Sequence, residues 1–219
     1  MLIVDGLRIC YGAHVAVQKV DLTVEKGELV AVTGRSGAGK TTLLNALAGL
    51  VPVNSGSATL HGQQLLNVGE PEATLIRRRM GFVFQSATLF PELSVLENVI
   101  WVGRLRGLSR GESRTAALAR LSALDVDHLV SRFPGQISGG EAQRVNIARA
   151  LVGNVDLLLV DEPTAALDES TSKDVCVALA SVVRDAEVAS LVVSHDPIVA
   201  MYASRVVQMS RGEILDDQG

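Results

Sequence analysis

A glycine-rich segment with a lysine and two threonines is the first place in this chain where residue types and spacing could do chemistry. It reads Gly34-Arg35-Ser36-Gly37-Ala38-Gly39-Lys40-Thr41-Thr42 and fits the pattern G-x-x-x-x-G-K-[ST]. Glycines let backbone N–H groups converge on phosphate oxygens, and the N-terminus of a following helix adds partial positive charge. In such a loop Lys40 reaches the β- and γ-phosphates, and the Thr41 hydroxyl binds Mg²⁺. The segment therefore predicts a phosphate cradle for a nucleoside triphosphate, formed by residues 34–42.

An acidic pair follows an apolar run far downstream of this loop. The run Val155-Asp156-Leu157-Leu158-Leu159-Val160 ends in Asp161 and Glu162. Because ligands bind at the carboxyl ends of strands in open α/β sheets, Asp161 is predicted to support the Mg²⁺ held by the loop. Glu162 is predicted to accept a proton from the attacking water or to position that water. On its own, such a pair after a strand is equally typical of a surface turn.

The elements on either side of the glycine-rich loop agree with this interpretation. Residues 28–33 form a short β-branched run that predicts a buried strand. Residues 42–49 repeat apolar side chains at helical spacing and stop at a glycine. A phosphate cradle requires this order of strand, tight turn and helix, so the context supports the motif.

A third segment lies between the two sites and reads Gln136-Ile137-Ser138-Gly139-Gly140-Glu141-Ala142-Gln143-Arg144. The hydroxyl and backbone N–H groups of residues 138–140 suit a γ-phosphate at a helix N-terminus. Taken alone, the segment is equally a Gly-Gly loop in which serine caps a helix. It resembles the signature motif L-S-G-G-Q of the ATP-binding-cassette (ABC) ATPases, with Ile137 and Glu141 as departures at the first and last positions.

The resemblance to ABC ATPases covers nearly the whole chain and assigns expected roles to further residues. Tyr11 corresponds to the aromatic residue that stacks on adenine, and Gln85 to a glutamine that contacts Mg²⁺ and senses a partner. Asp168 lies in the segment that resembles the D-loop. His195 corresponds to the switch histidine, which holds the γ-phosphate and orients water. Each residue also has a plainer interpretation, as a surface tyrosine, a polar loop residue or a helix cap.

The same resemblance implies ATP and Mg²⁺ as ligands and a second nucleotide-binding subunit as partner. In the family, ATP is held between the phosphate loop of one subunit and the signature motif of the other. Residues expected to act on ATP bound by the second subunit are Ser138, Gly139, Gly140, Glu141 and Asp168. A homodimer that forms with ATP is therefore expected.

The implied fold is a single α/β domain over residues 1–219, with a P-loop NTPase core built on a mostly parallel sheet. Residues 1–85 and 136–219 are expected to form this core together with an N-terminal antiparallel β subdomain. Residues from about 91 to 135 have a helical pattern and are expected to form the helical lobe associated with the signature motif.

Composition restricts the possible partners and the compartment. The formal net charge of −4 and the pI of about 5.6 argue against binding to nucleic acid. No apolar run approaches the roughly 20 residues of a transmembrane helix, and the N-terminus lacks the pattern of a secretory signal. Cys10 and Cys176 have no metal-ligand spacing and are predicted to be buried thiols. The chain is expected to lie peripherally at the cytoplasmic face of a membrane, attached through a partner.

That partner is expected to be a transmembrane permease subunit, because transport is the most common use of ABC ATPases. Candidates for a groove that accepts it are Phe90, Pro91, Leu93 and residues 95–101. Segments 82–86, 93–99 and 106–109 most resemble the group that drives lipoprotein release and macrolide export, whereas segment 160–168 departs from its usual pattern. The alternative is a soluble ABC-type ATPase that acts on a partner outside the membrane. A P-loop kinase or GTPase does not account for the signature segment or His195.

Overall fold

The structure is a computed structural model and describes residues 1–218. Its strands are β1 (Leu2–Tyr11), β2 (His14–Val24), β3 (Leu29–Thr33), β4 (Ser55–Leu60), β5 (Gln63–Gln64), β6 (Met80–Val83), β7 (Leu157–Asp161), β8 (Ala189–Val193), β9 (Arg205–Ser210) and β10 (Glu213–Gln218). Its α-helices are α1 (Lys40–Leu47), α2 (Glu72–Arg78), α3 (Val95–Leu105), α4 (Arg110–Ala123), α5 (Gly139–Leu151), α6 (Glu169–Asp185) and α7 (Pro197–Tyr202). Within residues 1–218, no helix has both the length and the apolar character needed to cross a bilayer.

The larger sheet has six strands in the order β10-β9-β3-β8-β7-β6. All neighbouring pairs are parallel except β10 with β9. The central strands β3, β7 and β8 are almost wholly buried, because α1 and residues of β1 and β2 pack on one face of the sheet and helices including α5 and α6 pack on the other. The predicted α/β fold with a mostly parallel sheet is confirmed, and the predicted strand at residues 28–33 lies within one residue of β3.

The smaller sheet is antiparallel, with strand order β2-β1-β4-β5. It confirms the predicted N-terminal antiparallel sheet. β4 pairs with β1, and its first residue, Ser55, lies opposite Arg8. A close approach of two backbones explains Gly56 near the start of β4: a Cβ there would lie 2.5 Å from the Gly6 carbonyl oxygen.

Helices α3 and α4 both begin with a capping box. Ser94 and Ser109 are N-caps, and each forms a capping box with the glutamate three residues later. The apolar face of α3, which includes Val95, Leu96 and Val99, is buried against α4 and α5. Helical spacing predicts correctly that these residues share one face, but it does not show that the face is covered.

The proposed docking groove therefore needs a correction, because residues 95, 96, 98 and 99 are buried and inaccessible to a partner. Trp101, by contrast, is 52% exposed and packs edge-on against Phe90, with ring centroids 6.4 Å apart. Cys10 also differs from its prediction, since it is only half-buried, whereas Cys176 is buried as expected.

Two arginines hold the C-terminal end of α5. The partly buried Arg106 guanidinium donates to the carbonyl oxygens of Ala150 and Val152 at 3.0 and 2.5 Å, and to that of Met80 at the start of β6 at 2.7 Å. Arg120 donates to the Leu151 carbonyl oxygen at 3.1 Å. Burial lowers the pKa of Arg106 to about 10. Positive charge at a helix C-terminus interacts favourably with the helix dipole and satisfies carbonyl groups that have no partner within the helix.

We expect Arg106→Met to lower the free energy of unfolding by about 2–4 kcal/mol, since three buried carbonyl groups lose a charged donor. Arg104→Met, at an exposed arginine in the last turn of α3, is the matched control and is expected to change the free energy of unfolding by about 0.5 kcal/mol or less. Urea unfolding of the two variants measures the difference. Equal effects of the two substitutions would show that Arg106 does not anchor α5.

Candidate active site

The site residues meet because four parallel strands end at the same edge of the larger sheet. In the observed register, Val32 of β3 pairs with Val193 of β8, and Val193 also pairs with Asp161 of β7. On the other side of β7, Val160 pairs with Val83 of β6. The four loops that follow these strands therefore start side by side, and they carry the glycine-rich segment, Gln85, Glu162 and His195.

At two positions of the glycine-rich loop, Gly34 and Gly39, only glycine fits the backbone conformation and the space available. Gly34 has a φ of 147°, and a Cβ there would lie 2.1 Å from the Met209 carbonyl oxygen. Gly39 has a φ of 100°, and a Cβ there would lie 2.3 Å from the Ala16 carbonyl oxygen. The loop thus turns tightly against neighbouring backbone before α1 begins at Lys40.

The Lys40 side chain folds back over the glycine-rich loop and contacts its first two residues. The side chain is buried, and its ammonium group donates to the carbonyl oxygens of Gly34 at 2.8 Å and Arg35 at 3.3 Å. This places a positive charge beside the turn and at the start of α1. Such an arrangement of ammonium group, backbone N–H groups and helix N-terminus suits a phosphate group.

Thr41 and Asp161 place two possible metal-binding oxygen atoms next to Lys40. The Thr41 hydroxyl donates to Asp161 Oδ1 at 3.3 Å. Burial raises the pKa of Asp161, and the charge of Glu162 adds to this, whereas the Thr41 hydrogen bond and the Lys40 charge oppose it. Mg²⁺ prefers oxygen ligands such as a hydroxyl and a carboxylate. A cation would also offset the cost of the half-buried negative charge of Asp161. The residues present therefore fit a magnesium ion.

Glu162 is the most constrained side chain of the site. Its φ is 45°, a left-handed conformation that is uncommon for residues other than glycine, and its amide donates to the Val193 carbonyl oxygen at 2.9 Å. Its Oε1 lies 2.8 Å from His195 Nδ1, and its Oε2 accepts from the Ser194 hydroxyl at 3.0 Å and from the His195 amide at 3.3 Å. The carboxylate is therefore bound on both oxygens by the loop after β8.

A second contact joins the same two loops. The Thr164 hydroxyl donates to Asp196 Oδ2 at 2.6 Å, and Asp196 Oδ1 caps α7 by accepting from the Ile198 amide at 2.9 Å. The Asp196 amide in turn donates to Ser194 Oγ at 3.0 Å. The loops 162–164 and 194–196 are thus joined at two points.

A cleft of about 610 Å³ opens at this edge of the sheet. Residues that line it and that the sequence predicts as site residues are Tyr11, Ser36, Gly37, Ala38, Gly39, Lys40, Thr41, Thr42, Gln85, Asp161, Glu162 and His195. Half of the Tyr11 side chain is exposed, at the end of β1. A planar aromatic group at the mouth of a phosphate-binding cleft can stack on a nucleotide base.

The signature segment and Asp168 lie outside this lining, as far as the described residues show. Ser138 is exposed and caps α5 in a capping box with Glu141, and hydrogen bonds from the Ser138 amide and hydroxyl lower the pKa of Glu141. Asp168 caps α6 by accepting from the Thr171 amide and hydroxyl. A Cβ on Gly140 would lie 2.2 Å from Thr171 Cγ2, so the beginnings of α5 and α6 are in close contact.

Sequence reasoning missed several residues that shape the site. Arg149 donates to the carbonyl and hydroxyl oxygens of Thr88 at 2.6 and 3.1 Å, and buried Asn146 reaches the Phe84 carbonyl oxygen at 3.5 Å. These bonds attach α5 to the loop that carries Gln85. The available signal was that Asn146 and Arg149, three residues apart, interrupt the otherwise apolar second half of the helix. Ser194 was also missed as a site residue, although it precedes His195.

The chain is similar to proteins of one known family. A sequence model of the family described as "ABC transporter" matches residues 17–165. The macrolide export ATP-binding/permease protein MacB of Rhodopseudomonas palustris (strain BisB18) is 40% identical over an alignment of 222 positions, which covers 99% of this chain and 34% of that protein. The lipoprotein-releasing system ATP-binding protein LolD of Chromohalobacter salexigens is 40% identical over 199 residues, which are 90% of this chain and 84% of that protein. The chain therefore spans about a third of the first relative and most of the second.

A solved structure has the same fold over its full length. The dimeric structure of MJ0796, a bacterial ABC transporter cassette, superimposes with a TM-score of 0.86 at 32% identity and covers 100% of this chain and 98% of that chain. A second dimeric structure of MJ0796, in a post-hydrolysis state bound to ADP and Pi, has a TM-score of 0.85.

We expect Gly39→Ala to destabilise the chain more than Gly37→Ala. Both positions have positive φ, which costs about 1 kcal/mol for alanine, but only at Gly39 would the new Cβ meet backbone, whereas at Gly37 there is no atom within 4 Å. The clash adds about 1–3 kcal/mol. Urea unfolding measures both values, and equal losses would contradict the observed packing of the loop against Ala16.

Proposed function

This chain belongs to the ABC transporter family and is an ATPase of the ATP-binding-cassette type, and from that premise we propose that it dimerises on ATP and drives a separate transmembrane permease subunit. The observation that carries the proposal is the division of the site. One cleft is lined by residues 36–42 of the phosphate loop together with Asp161, Glu162 and His195, whereas Ser138 and Asp168 lie outside it. A complete ATP site of this family then needs residues from two chains.

Within one chain, the proposed roles follow from chemistry and position. Lys40 and the backbone N–H groups of residues 37–42 bind the β- and γ-phosphates, and Tyr11 stacks on the base. Glu162 accepts a proton from water as the water oxygen attacks the γ-phosphorus and the bond to the β-phosphate oxygen breaks. His195, hydrogen-bonded to Glu162, faces the same cleft and contacts the γ-phosphate.

Thr41, Asp161 and Gln85 are the residues that would hold Mg²⁺. When bound, the ion neutralises charge on the β- and γ-phosphate oxygens. The Thr41 to Asp161 hydrogen bond and the position of Gln85 in the same cleft support this assignment.

The second subunit is proposed to be another copy of this chain or a related cassette. Ser138, Gly139, Gly140, Glu141 and Asp168 would then contact ATP bound by the partner. The close contact of Gly140 with Thr171 supports a common surface, because it places the beginnings of α5 and α6 side by side. ATP favours the closed dimer only if it binds the closed state better than the open one, through contacts from both chains.

We expect Glu162→Gln to bind ATP, to hydrolyse it at a small fraction of the normal rate and to form a stable dimer at saturating Mg-ATP. Without nucleotide the same variant should remain mostly monomeric. Lys40→Ala is the control that should lose nucleotide binding and stay monomeric in both conditions. Light scattering after gel filtration measures the oligomeric state. If Glu162→Gln stays monomeric with ATP, the proposed dimer is wrong.

The permease is proposed to dock near α3, which places the chain peripherally at the cytoplasmic face of the membrane. Support comes from Trp101 and Phe90, two half-exposed aromatic rings in contact, since exposed aromatic residues suit protein interfaces. The names of the relatives MacB and LolD support a role in export or lipoprotein release. We further propose that residues 1–219 act as one cassette in which residues from about 91 to 135 form the helical lobe.

We expect a tagged Glu162→Gln chain to copurify from native membranes, in mild detergent, with a polytopic membrane protein in stoichiometric amount. Adding Trp101→Ala should reduce the recovered partner several-fold, because hot-spot tryptophans contribute strongly at interfaces. Leu215→Ala, a comparably exposed apolar residue on β10, is the control and should leave recovery unchanged. Mass spectrometry identifies the partner. A soluble partner, with the chain absent from membranes, would favour the alternative of an ABC-type ATPase that acts outside the membrane.

A further inference from the structure

The Ser194 hydroxyl is a buried polar group that the proposed roles above do not use. It lies at the end of β8 and has no exposed surface. Ser194 Oγ accepts a hydrogen bond from the Asp196 amide at 3.0 Å. The same hydroxyl group donates to Glu162 Oε2, with 3.0 Å between the two oxygens. A hydroxyl group has a single hydrogen to donate, so the amide contact leaves that hydrogen for the carboxylate.

We propose that Ser194 is a positioning residue for ATP hydrolysis, which fixes the orientation of the Glu162 carboxylate towards the attacking water. The inference rests on the proposed role of Glu162 as the group that accepts the proton. Ser194 itself does not line the cleft and contacts neither nucleotide nor water in the proposed reaction.

The geometry explains why a carboxylate here needs such a contact. A glutamate side chain rotates about three bonds, and only 14% of the Glu162 side chain is exposed. The Ser194 hydroxyl and the His195 amide hold Oε2, so Oε1 is the oxygen shared between His195 Nδ1 and the cleft. Loss of the hydroxyl removes one of the two donors on Oε2 and lets the carboxylate rotate.

The second contact between the loops keeps Ser194 in position. Thr164 donates to the Asp196 carboxylate, and the Asp196 backbone amide donates to Ser194. Three hydrogen bonds thus connect Thr164 to Glu162 through Asp196 and Ser194. Both ends of this chain of bonds lie in the loop after β7, two residues apart. Such a closed arrangement favours one rotamer of the glutamate without adding charge to the cleft.

The same strand provides a matched control. Ser190 is also fully buried on β8, four residues before Ser194, but its hydroxyl donates to the Val188 carbonyl oxygen at 3.2 Å. Removal of either hydroxyl creates a comparable small change in the core. Only the change at Ser194 alters the surroundings of Glu162.

Steady-state and single-turnover ATP hydrolysis by the full chain test the proposal with four variants: Ser194→Ala, Ser190→Ala, Glu162→Gln and the double variant Ser194→Ala/Glu162→Gln. We expect Ser194→Ala to lower kcat about tenfold, with the KM for ATP within about twofold, since a hydrogen bond to a charged group is lost from the reacting carboxylate and not from the phosphate loop. Ser190→Ala should stay within about twofold of the unchanged chain. In the Glu162→Gln background, Ser194→Ala should have no further effect, because the group that it positions has already been replaced.

Three results would contradict the proposal. An effect of Ser194→Ala no larger than that of Ser190→Ala would show that the hydroxyl does not position Glu162. The same fold loss in both backgrounds would show that it acts on the core in general. A normal rate in Glu162→Gln would instead refute the role of Glu162, and with it the premise of the inference. ATP-dependent dimer formation by the double variant, measured by light scattering, reports that it is folded and binds nucleotide.

Discussion

The register of the parallel strands is the constraint on which the site depends. β3, β6, β7 and β8 pair so that their carboxyl ends lie in line, and each of the four loops begins at the point where its strand leaves the sheet. Alternate residues of these strands face two different hydrophobic clusters, for example Val30 and Leu29 of β3. Because both faces are apolar, the alternation of side chains says little about register. The polar contacts at the strand ends, such as Thr41 with Asp161 and Ser194 with Glu162, add that specificity.

The chain divides its chemistry between two surfaces that differ in character. The cleft surface is concave and carries a lysine, two acids and a histidine, which are fixed by hydrogen bonds within the chain. The second surface is formed by the beginnings of α5 and α6, where Ser138 and Asp168 each cap a helix and leave backbone N–H groups near the surface. Helix N-termini favour anions, so this surface is suited to a phosphate that is brought to it. Under the proposed function, the two surfaces would enclose the nucleotide together.

Sequence reasoning succeeds here where the determinants are local. The strand before the glycine-rich loop and the acids at the end of β7 can each be recognised from fewer than ten residues, and the structure places them at the same edge of the sheet. The predicted docking groove was wrong at residues 95, 96, 98 and 99, because helical spacing identifies an apolar face without showing what covers it. The contacts of Glu162 with Ser194 and of Arg106 with Met80 join residues 32 and 26 positions apart, and they exist only because the strands and helices pack in one particular way. No local pattern carries that information.

The anchoring of α5 at one end has a mechanical consequence. The helix has 13 residues and is therefore about 20 Å long. Arg106 and Arg120 hold its last carbonyl groups, and Arg149 ties its final turns to the segment after β6, whereas Ser138 stands at the opposite end. A tilt of about 10° around the arginine-bound end would carry Ser138 through about 3 Å, which is comparable to the length of a hydrogen bond. Any such tilt must also displace α3, α4 and α6, because all three pack against α5, so the position of Ser138 is coupled to the packing of the helices around it.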